Sequence, residues 1–339
     1  MTNDVATPHG VLLEGQIVPF PGSISAEAQA ALRRLVREDG MPVNALYPMP
    51  AVEDHDGWMR VKAGANAHYA ASVGRLARTL RSSVATIELG DATIHVAQPE
   101  RPIHADCAII DLHGGALIVG GGDACRIGTQ MQADRHGVTC YGVDYRMPPE
   151  HPYPAALDDC IAVYRHILES HAPEHIIIHG RSAGGNLAVA SLLRARDEGL
   201  VLPAALVLLS PEVDLTESGD SFQTNRMIDV VLPGSLMANN LLYAAGADLA
   251  DPLLSPLFGN LTGFPPTFIQ SGTRDLFLSN AVRLHRRLRA ESVEAYLHVF
   301  EGMPHGGFGG GTTEDQELEA EVALFVRSNW PDPASEGIQ

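Results

Sequence analysis

From residue 84 onward the chain alternates short apolar runs with helix-like stretches, and this alternation restricts its fold more than any other feature. Six runs stand out: Cys107–Leu112 (CAIIDL), Val138–Val143 (VTCYGV), His175–His179 (HIIIH), Ala204–Leu209 (AALVLL), Thr267–Gln270 (TFIQ) and Tyr296–Phe300 (YLHVF). Continuous apolar strands suit a sheet buried on both faces, which is a mostly parallel sheet covered by helices. Helical patterns at Pro154–Ser170, Ala183–Glu198, Ser279–Glu291 and from Thr313 to about Asn329 supply the covers. Pro154 fits a first helical turn, and Thr313-x-x-Gln316 reads as a capping box. Ahead of these, Ser83–Leu89 and Ala92–Ala97 flank Gly90-Asp91 and read as a hairpin. In open sheets of this class ligands sit beyond the carboxyl ends of the strands. Four chemically suggestive stretches fall at such ends.

The first is Gly180-Arg181-Ser182-Ala183-Gly184. HIIIH runs into it and AGGNLAVASLL runs out of it, so the G-x-S-x-G pattern sits on a strand-to-helix turn. That context is a nucleophile elbow, a strained turn that presents a serine hydroxyl above the sheet. Gly185 then allows close packing of the helix. The second stretch is His113-Gly114-Gly115-Ala116, directly after CAIIDL. Acyl transfer passes through an oxyanion that needs preorganised N–H donors. Gly114 and Gly115 are expected to supply two, and Ala183 a third. The third is Asp275 after TFIQ and the fourth His305 after YLHVF. The chain order Ser, Asp, His is the one expected for an elbow of this kind. His305 would take and return the Ser182 proton, and Asp275 would hold the imidazole tautomer. With 15 histidines in the chain, position after the last strand singles out His305. His179 precedes the elbow and reads as structural; Asp214 is the rival acid.

The first 80 residues read differently. A helix is expected from about Ser25 to Glu38, capped by Ser25 with Glu27 in its first turn. A second is expected from about Trp58 to Leu80, after an irregular Pro-rich and acidic stretch. Residues 214–256 interrupt the strand–helix alternation. The domain reading is therefore an N-terminal helical cap segment at 1–80, a core at 81–213 and 257–330, and a cap insertion at 214–256. Phe20, Trp58, Phe222, Met227, Leu236, Leu241 and Leu242 are the candidate pocket wall. The glycine-rich stretch 306–311 after His305 reads either as a mobile loop or as a plain turn.

The net charge of −18 argues against nucleic acid or an anionic membrane surface as partner, and favours neutral substrates. No apolar run approaches the roughly 18 residues a membrane helix needs. The opening MTNDVATPHG lacks the features of a leader peptide. Cys107, Cys125, Cys140 and Cys160 form no CxxC pair and read as reduced thiols, so a cytoplasmic setting is expected and no metal site.

HGGA, the stretch Asp144-Tyr145-Arg146-Met147-Pro148-Pro149-Glu150-His151-Pro152-Tyr153-Pro154-Ala155-Ala156, and GRSAGGNLA together resemble the hormone-sensitive-lipase-like family of α/β-hydrolases. The resemblance runs from about residue 84 to the C-terminus. It implies the α/β-hydrolase fold with an eight-stranded sheet and a helical cap. It also implies no cofactor, ester substrates with short acyl or small alcohol parts, and often a homodimer. The stretch Tyr145–Ala156 would support the oxyanion loop. TRDLFLS at 273–279 is similar to members described as monoterpene lactone hydrolases, which open a cyclic ester. Two departures stand out: Arg181 replaces a frequent Asp, and Glu212 follows Ser210-Pro211 where Trp is frequent. An Arg181–Glu212 ion pair beside the site is expected. Had Arg181 faced the pocket instead, it would favour acid-bearing substrates. A non-catalytic binding protein on the same scaffold, an amidase and an acyltransferase remain alternatives on sequence alone.

Overall fold

The computed structural model describes residues 17–331 apart from Tyr47, Arg75 and Pro233. The leader reading at residues 1–10, and the start of the 1–80 segment, lie outside the described residues. Eight strands form one sheet: β1 (Ser83–Leu89), β2 (Ala92–Gln98), β3 (Ala108–Leu112), β4 (Thr139–Asp144), β5 (Ile176–Arg181), β6 (Ala205–Leu209), β7 (Thr267–Gly272) and β8 (Ala295–Phe300), in the order β1-β2-β4-β3-β5-β6-β7-β8. Only β2 runs antiparallel to its neighbours, through the expected hairpin with β1 and through its pairing with β4. The helices are α1 (Ala26–Arg34), α2 (His55–Gly74), α3 (Asp123–His136), α4 (Ala155–Leu168), α5 (Ala183–Asp197), α6 (Ser221–Thr224), α7 (Met237–Ala244), α8 (Leu278–Ala290) and α9 (Thr313–Ser328).

Strand alternation sorts the core into two layers. Ile110, Leu112, Ile176, Ile178, Leu206 and Leu208 face α4, α5 and α8. Ile109, Ile177, Val207 and Phe268 face the other way, against Ala133 of α3 and Val322, Phe325 and Val326 of α9. No helix among the described residues is long and apolar enough to cross a membrane.

Several sequence expectations need correction. Helix α3 had no counterpart in them. Its buried positions include Thr129, Gln132 and His136, so it lacks the aliphatic stripe that announces a helix. It lies so close to β4 that a methyl at Gly142 would collide with Thr129. Helix α2 starts before Trp58 because Asp54 accepts from Gly57 N at 2.8 Å, and it ends at Gly74 rather than Leu80. Helix α1 keeps its Ser25 cap but stops at Arg34, where a Val36–Pro42 bridge turns the chain. The box on α9 is formed by Thr312 and Asp315, not by Thr313 and Gln316.

The N-terminal segment is fastened to the core near the strand ends. The Glu314 carboxylate of α9 accepts from Ser25 N at 2.6 Å and Ser25 Oγ at 2.8 Å. Ile24, Ala28 and Leu32 pack on Val230, Met303 and Phe308. Trp58 of α2 packs on Ile118, Val119 and Leu242.

Candidate active site

Ser182 follows β5 and caps α5 with φ 55°, a left-handed conformation that a residue with a side chain adopts at a cost of about 1–3 kcal/mol. The turn survives because its surroundings fix it: Ser182 N donates to Leu209 O at 2.9 Å, and Gly184 fits against the Leu112 carbonyl where a methyl would collide. The elbow aims Ser182 Oγ at His305 Nε2, 2.9 Å away. His305 Nδ1 lies 3.1 Å from Asp275 Oδ1. Asp275 Oδ1 also accepts from Phe277 N at 2.9 Å, and its Oδ2 accepts from Ser271 Oγ at 2.8 Å. The three residues singled out at three strand ends thus form one buried chain. The rival acid is engaged elsewhere: Asp214 pairs with Arg283 at 2.6 Å and accepts from Thr216 and Ser218.

The glycine loop lies against the elbow. A methyl at Gly114 would stand 3.1 Å from Arg181 O and 3.2 Å from Ser182 Cβ. Gly115 has φ 132° and closes a turn in which its carbonyl accepts from Ile118 N and Val119 N. Ala183 opens α5, so its N–H belongs to the first turn, where no intrahelical acceptor exists. Behind the loop, Tyr145 donates from Oη to His113 O at 2.7 Å, and its ring stacks on His113 at 4.1 Å. Arg146 is held by a forked pair with buried Asp159. The Tyr145–Ala156 stretch therefore supports the loop, as the resemblance implies.

Three residues at the site carried no signal in the sequence. Asp229 is fully buried; its Oδ2 accepts from Leu276 N at 2.7 Å and from His305 N at 3.3 Å, while Oδ1 accepts from Val231 N at 3.0 Å. It ties the acid loop to the base loop. Phe277 presents its ring to the His305 ring edge-on at 4.8 Å. Asp315 accepts from Phe308 N at 3.0 Å, Gly310 N at 2.8 Å and Gly311 N at 3.1 Å. The glycine-rich stretch after His305 is therefore an anchored turn.

Burial opposes the imidazolium of His305, but Asp275, Asp229 and Glu212 outweigh it and raise the pKa above the ordinary histidine value. Burial likewise opposes the Asp275 carboxylate, but the His305 charge and the hydrogen bonds hold it below the usual carboxylate range. Asp229 is pushed up to about 6 by burial and by Asp275.

The expected Arg181–Glu212 pair does not form. Ile177, His179 and Arg181 share one face of β5, the face toward α3 and α9, and there Arg181 is exposed. Glu212 is buried on the site's side, its N–H donating to Ser182 O at 3.1 Å, and neither carboxyl oxygen meets a partner among the described residues. Burial pushes its pKa up to about 8. His179 is structural as expected, its Nδ1 2.7 Å from Asp111 Oδ1.

Glu212 leads to a stability prediction. Its folded pKa lies above its ordinary 4.5, so the folded state holds a proton that the unfolded state releases. Stability therefore falls as pH rises from about 4.5 to about 8, by several kcal/mol from this group alone. Glu212→Gln should match wild type near pH 4.5 and exceed it by several kcal/mol above pH 8. Urea unfolding at both ends reads this; equal stability of the two proteins at the alkaline end would refute it.

The candidate pocket residues divide. Trp58 is wholly buried and donates from Nε1 to Ala51 O at 2.9 Å, which makes it the packing centre of its own helix and corrects its assignment to a pocket wall. Leu242 is buried beside it. Phe222 packs on Phe277 at 5.7 Å, one ring removed from His305, with Leu236 against the same cluster. Phe20 lies under the Arg274 guanidinium at 5.6 Å. Met227 and Leu241 are exposed, at 37% and 43%.

A family profile described as alpha/beta hydrolase fold matches residues 109–308, and the chain belongs to that family. It is 32% identical over 225 residues to an esterase of Acinetobacter venetianus, spanning 65% of this chain and 74% of that one. An acetyl-hydrolase of Streptomyces hygroscopicus is 36% identical over 202 residues, spanning 59% and 67%. Among solved structures, esterase E25 has a TM-score of 0.89 at 32% identity and covers 96% of this chain and 100% of its own. An esterase of the bacterial hormone-sensitive lipase family has a TM-score of 0.76 at 29% identity, covering 91% and 99%.

Proposed function

We propose that this carboxylic ester hydrolase works through an acyl-enzyme on Ser182. His305 acts as base and then acid, Asp275 anchors the imidazole, and the N–H groups of Gly114, Gly115 and Ala183 receive the oxyanion. The observation that carries the reading is the unbroken chain from Ser182 Oγ to His305 Nε2 at 2.9 Å and from His305 Nδ1 to Asp275 Oδ1 at 3.1 Å. In the first half-reaction Ser182 Oγ attacks the ester carbonyl and its proton passes to His305 Nε2. The imidazolium then protonates the departing alcohol. In the second half, water gives its proton to His305 and its oxygen to the acyl carbon, and Ser182 is restored. Esterase and acetyl-hydrolase relatives support this chemistry. Small neutral esters suit the site best, because the buried carboxylates of Asp275 and Asp229 and the −18 net charge disfavour an anion. Residues 17–80 and 214–256 would act together as the cap, since Val230 and Leu242 join them.

The test is hydrolysis of p-nitrophenyl esters from acetate to dodecanoate, with a lactone series beside them. Short esters should turn over. A folded wild-type protein inert toward every acyl length would overturn the reading. Because His305 must be neutral to accept the proton and its pKa is raised, kcat/KM should fall with decreasing pH through a midpoint above 6.5. Asp229→Asn removes one carboxylate that raises this pKa and should move the midpoint lower. A midpoint unmoved in that variant would count against the electrostatic assignment.

A further inference from the structure

Behind the oxyanion loop lies a second cluster of donor atoms that ester hydrolysis does not use. One nitrogen of His113, the thiol of Cys125 and a carboxylate oxygen of Asp144 all lie within 4.8 Å of one another. The His113 ring is oriented by two contacts. It stacks on Tyr145 at 4.1 Å with 8° between the planes, and its Nδ1 lies 2.8 Å from Gly114 O. A carbonyl can only accept, so Nδ1 carries the hydrogen and Nε2 of the neutral ring carries a lone pair. Nε2 is buried and meets no partner among the described residues. A metal-binding histidine characteristically donates its other ring N–H to a carbonyl or carboxylate in this way.

Asp144 is prepared in the same manner. Its Oδ2 accepts from Gly122 N at 2.9 Å and lies 3.3 Å from His95 Nε2, which leaves Oδ1 for a ligand. Asp144, Gly121 and Gly122 also line a cavity of about 510 Å³ between α2 and the end of β4. The cavity gives an ion an approach to the cluster from the Asp144 side.

We propose that His113, Cys125 and Asp144 bind one borderline-soft divalent transition-metal ion, with zinc as the representative. Imidazole, thiolate and carboxylate together are zinc ligands, and thiolate plus carboxylate neutralise a divalent charge. Cys125 releases its proton to solvent on binding. Tetrahedral zinc ligands stand about 3.5 Å apart, so the three side chains draw in by about 1 Å at most. The ion then staples the first turn of α3 to the residue that orients Gly114. The ion takes no part in the chemical steps of ester hydrolysis, although it sits behind the loop that carries Gly114.

The experiment starts from chelator-treated full-length protein titrated with cobalt(II) and then zinc(II). The expected result is one ion per chain, a near-ultraviolet thiolate-to-cobalt absorption that zinc displaces, and a thermal midpoint raised by roughly 5 °C at a hundredfold excess over Kd. Cys125→Ser should lose the thiolate absorption and Cys140→Ser should keep it, with circular dichroism confirming both folds. X-ray absorption of the zinc-loaded wild type should show one sulfur neighbour at about 2.3 Å, a readout that needs no variant. The proposal is overturned by the absence of saturable binding, by a zinc environment without sulfur, or by a thiolate band that survives Cys125→Ser.

Discussion

Ser182→Ala should lower kcat toward p-nitrophenyl butyrate by about 10⁶-fold while leaving the fold intact. The side chain removed is one oxygen, and that oxygen is the nucleophile placed 2.9 Å from His305 Nε2. What remains is the oxyanion loop and the binding surface, which by themselves retain about 10³–10⁴ over water. Stability should change little, because alanine inherits the same φ of 55° and the Ser182 N to Leu209 O bond does not involve the side chain. Activity and the urea midpoint, measured on one preparation, separate the two effects. A variant that kept a hundredth of wild-type turnover would remove Ser182 from the mechanism.

Asp275→Asn should cost about 10⁴ in kcat. The carboxylate accepts from the imidazole Nδ1, so it selects the tautomer whose Nε2 can receive the serine proton. Asparagine has one acceptor oxygen where the carboxylate uses two: with the oxygen on the Ser271 side an amide N–H faces Nδ1 and selects the opposite tautomer, and with the oxygen on the Nδ1 side the hydrogen bond survives without the charge that stabilises the imidazolium. The loss should appear in kcat at every pH. The surviving activity should show its acid limb shifted down, because the carboxylate is the leading group that raises the His305 pKa. A loss under tenfold, or an unshifted limb, would assign the imidazole's orientation to something else; Asp229 is the residue to examine next.

The sequence was most legible where a single local rule governs the outcome. The strands, the elbow and the acid and base positions follow from short apolar runs and what comes directly after each. Ser182, Asp275 and His305 could be named because all three lie at strand ends. Helix α3 was hidden because its inward positions carry Thr129, Gln132 and His136, which no hydrophobic period detects. Asp229 was hidden for a different reason: it sits in irregular chain, and its importance arises only where residues 229, 276 and 305 meet. The Arg181–Glu212 pair is ruled out by strand alternation. Residues 177, 179 and 181 alternate onto one face of β5, so an arginine in that series points away from a site on the other side. Glu212 could not have been predicted as an unpaired acid without knowing that its presumed partner faced elsewhere.

The Asp315 carboxylate does two things at once: it completes the cap of the closing helix and it gathers the amides of residues 308, 310 and 311 behind the general base. The tail of the protein and its chemistry therefore share one fastening. Melting of the last helix from its first turn would release the loop that steadies His305 while β3 to β7 still stood intact. In that event activity would be lost by local opening rather than by global unfolding. The catalytic rate then reports on the order of the enzyme's own C-terminal region, and heat or a protease acting there would silence it while most of the molecule remained native.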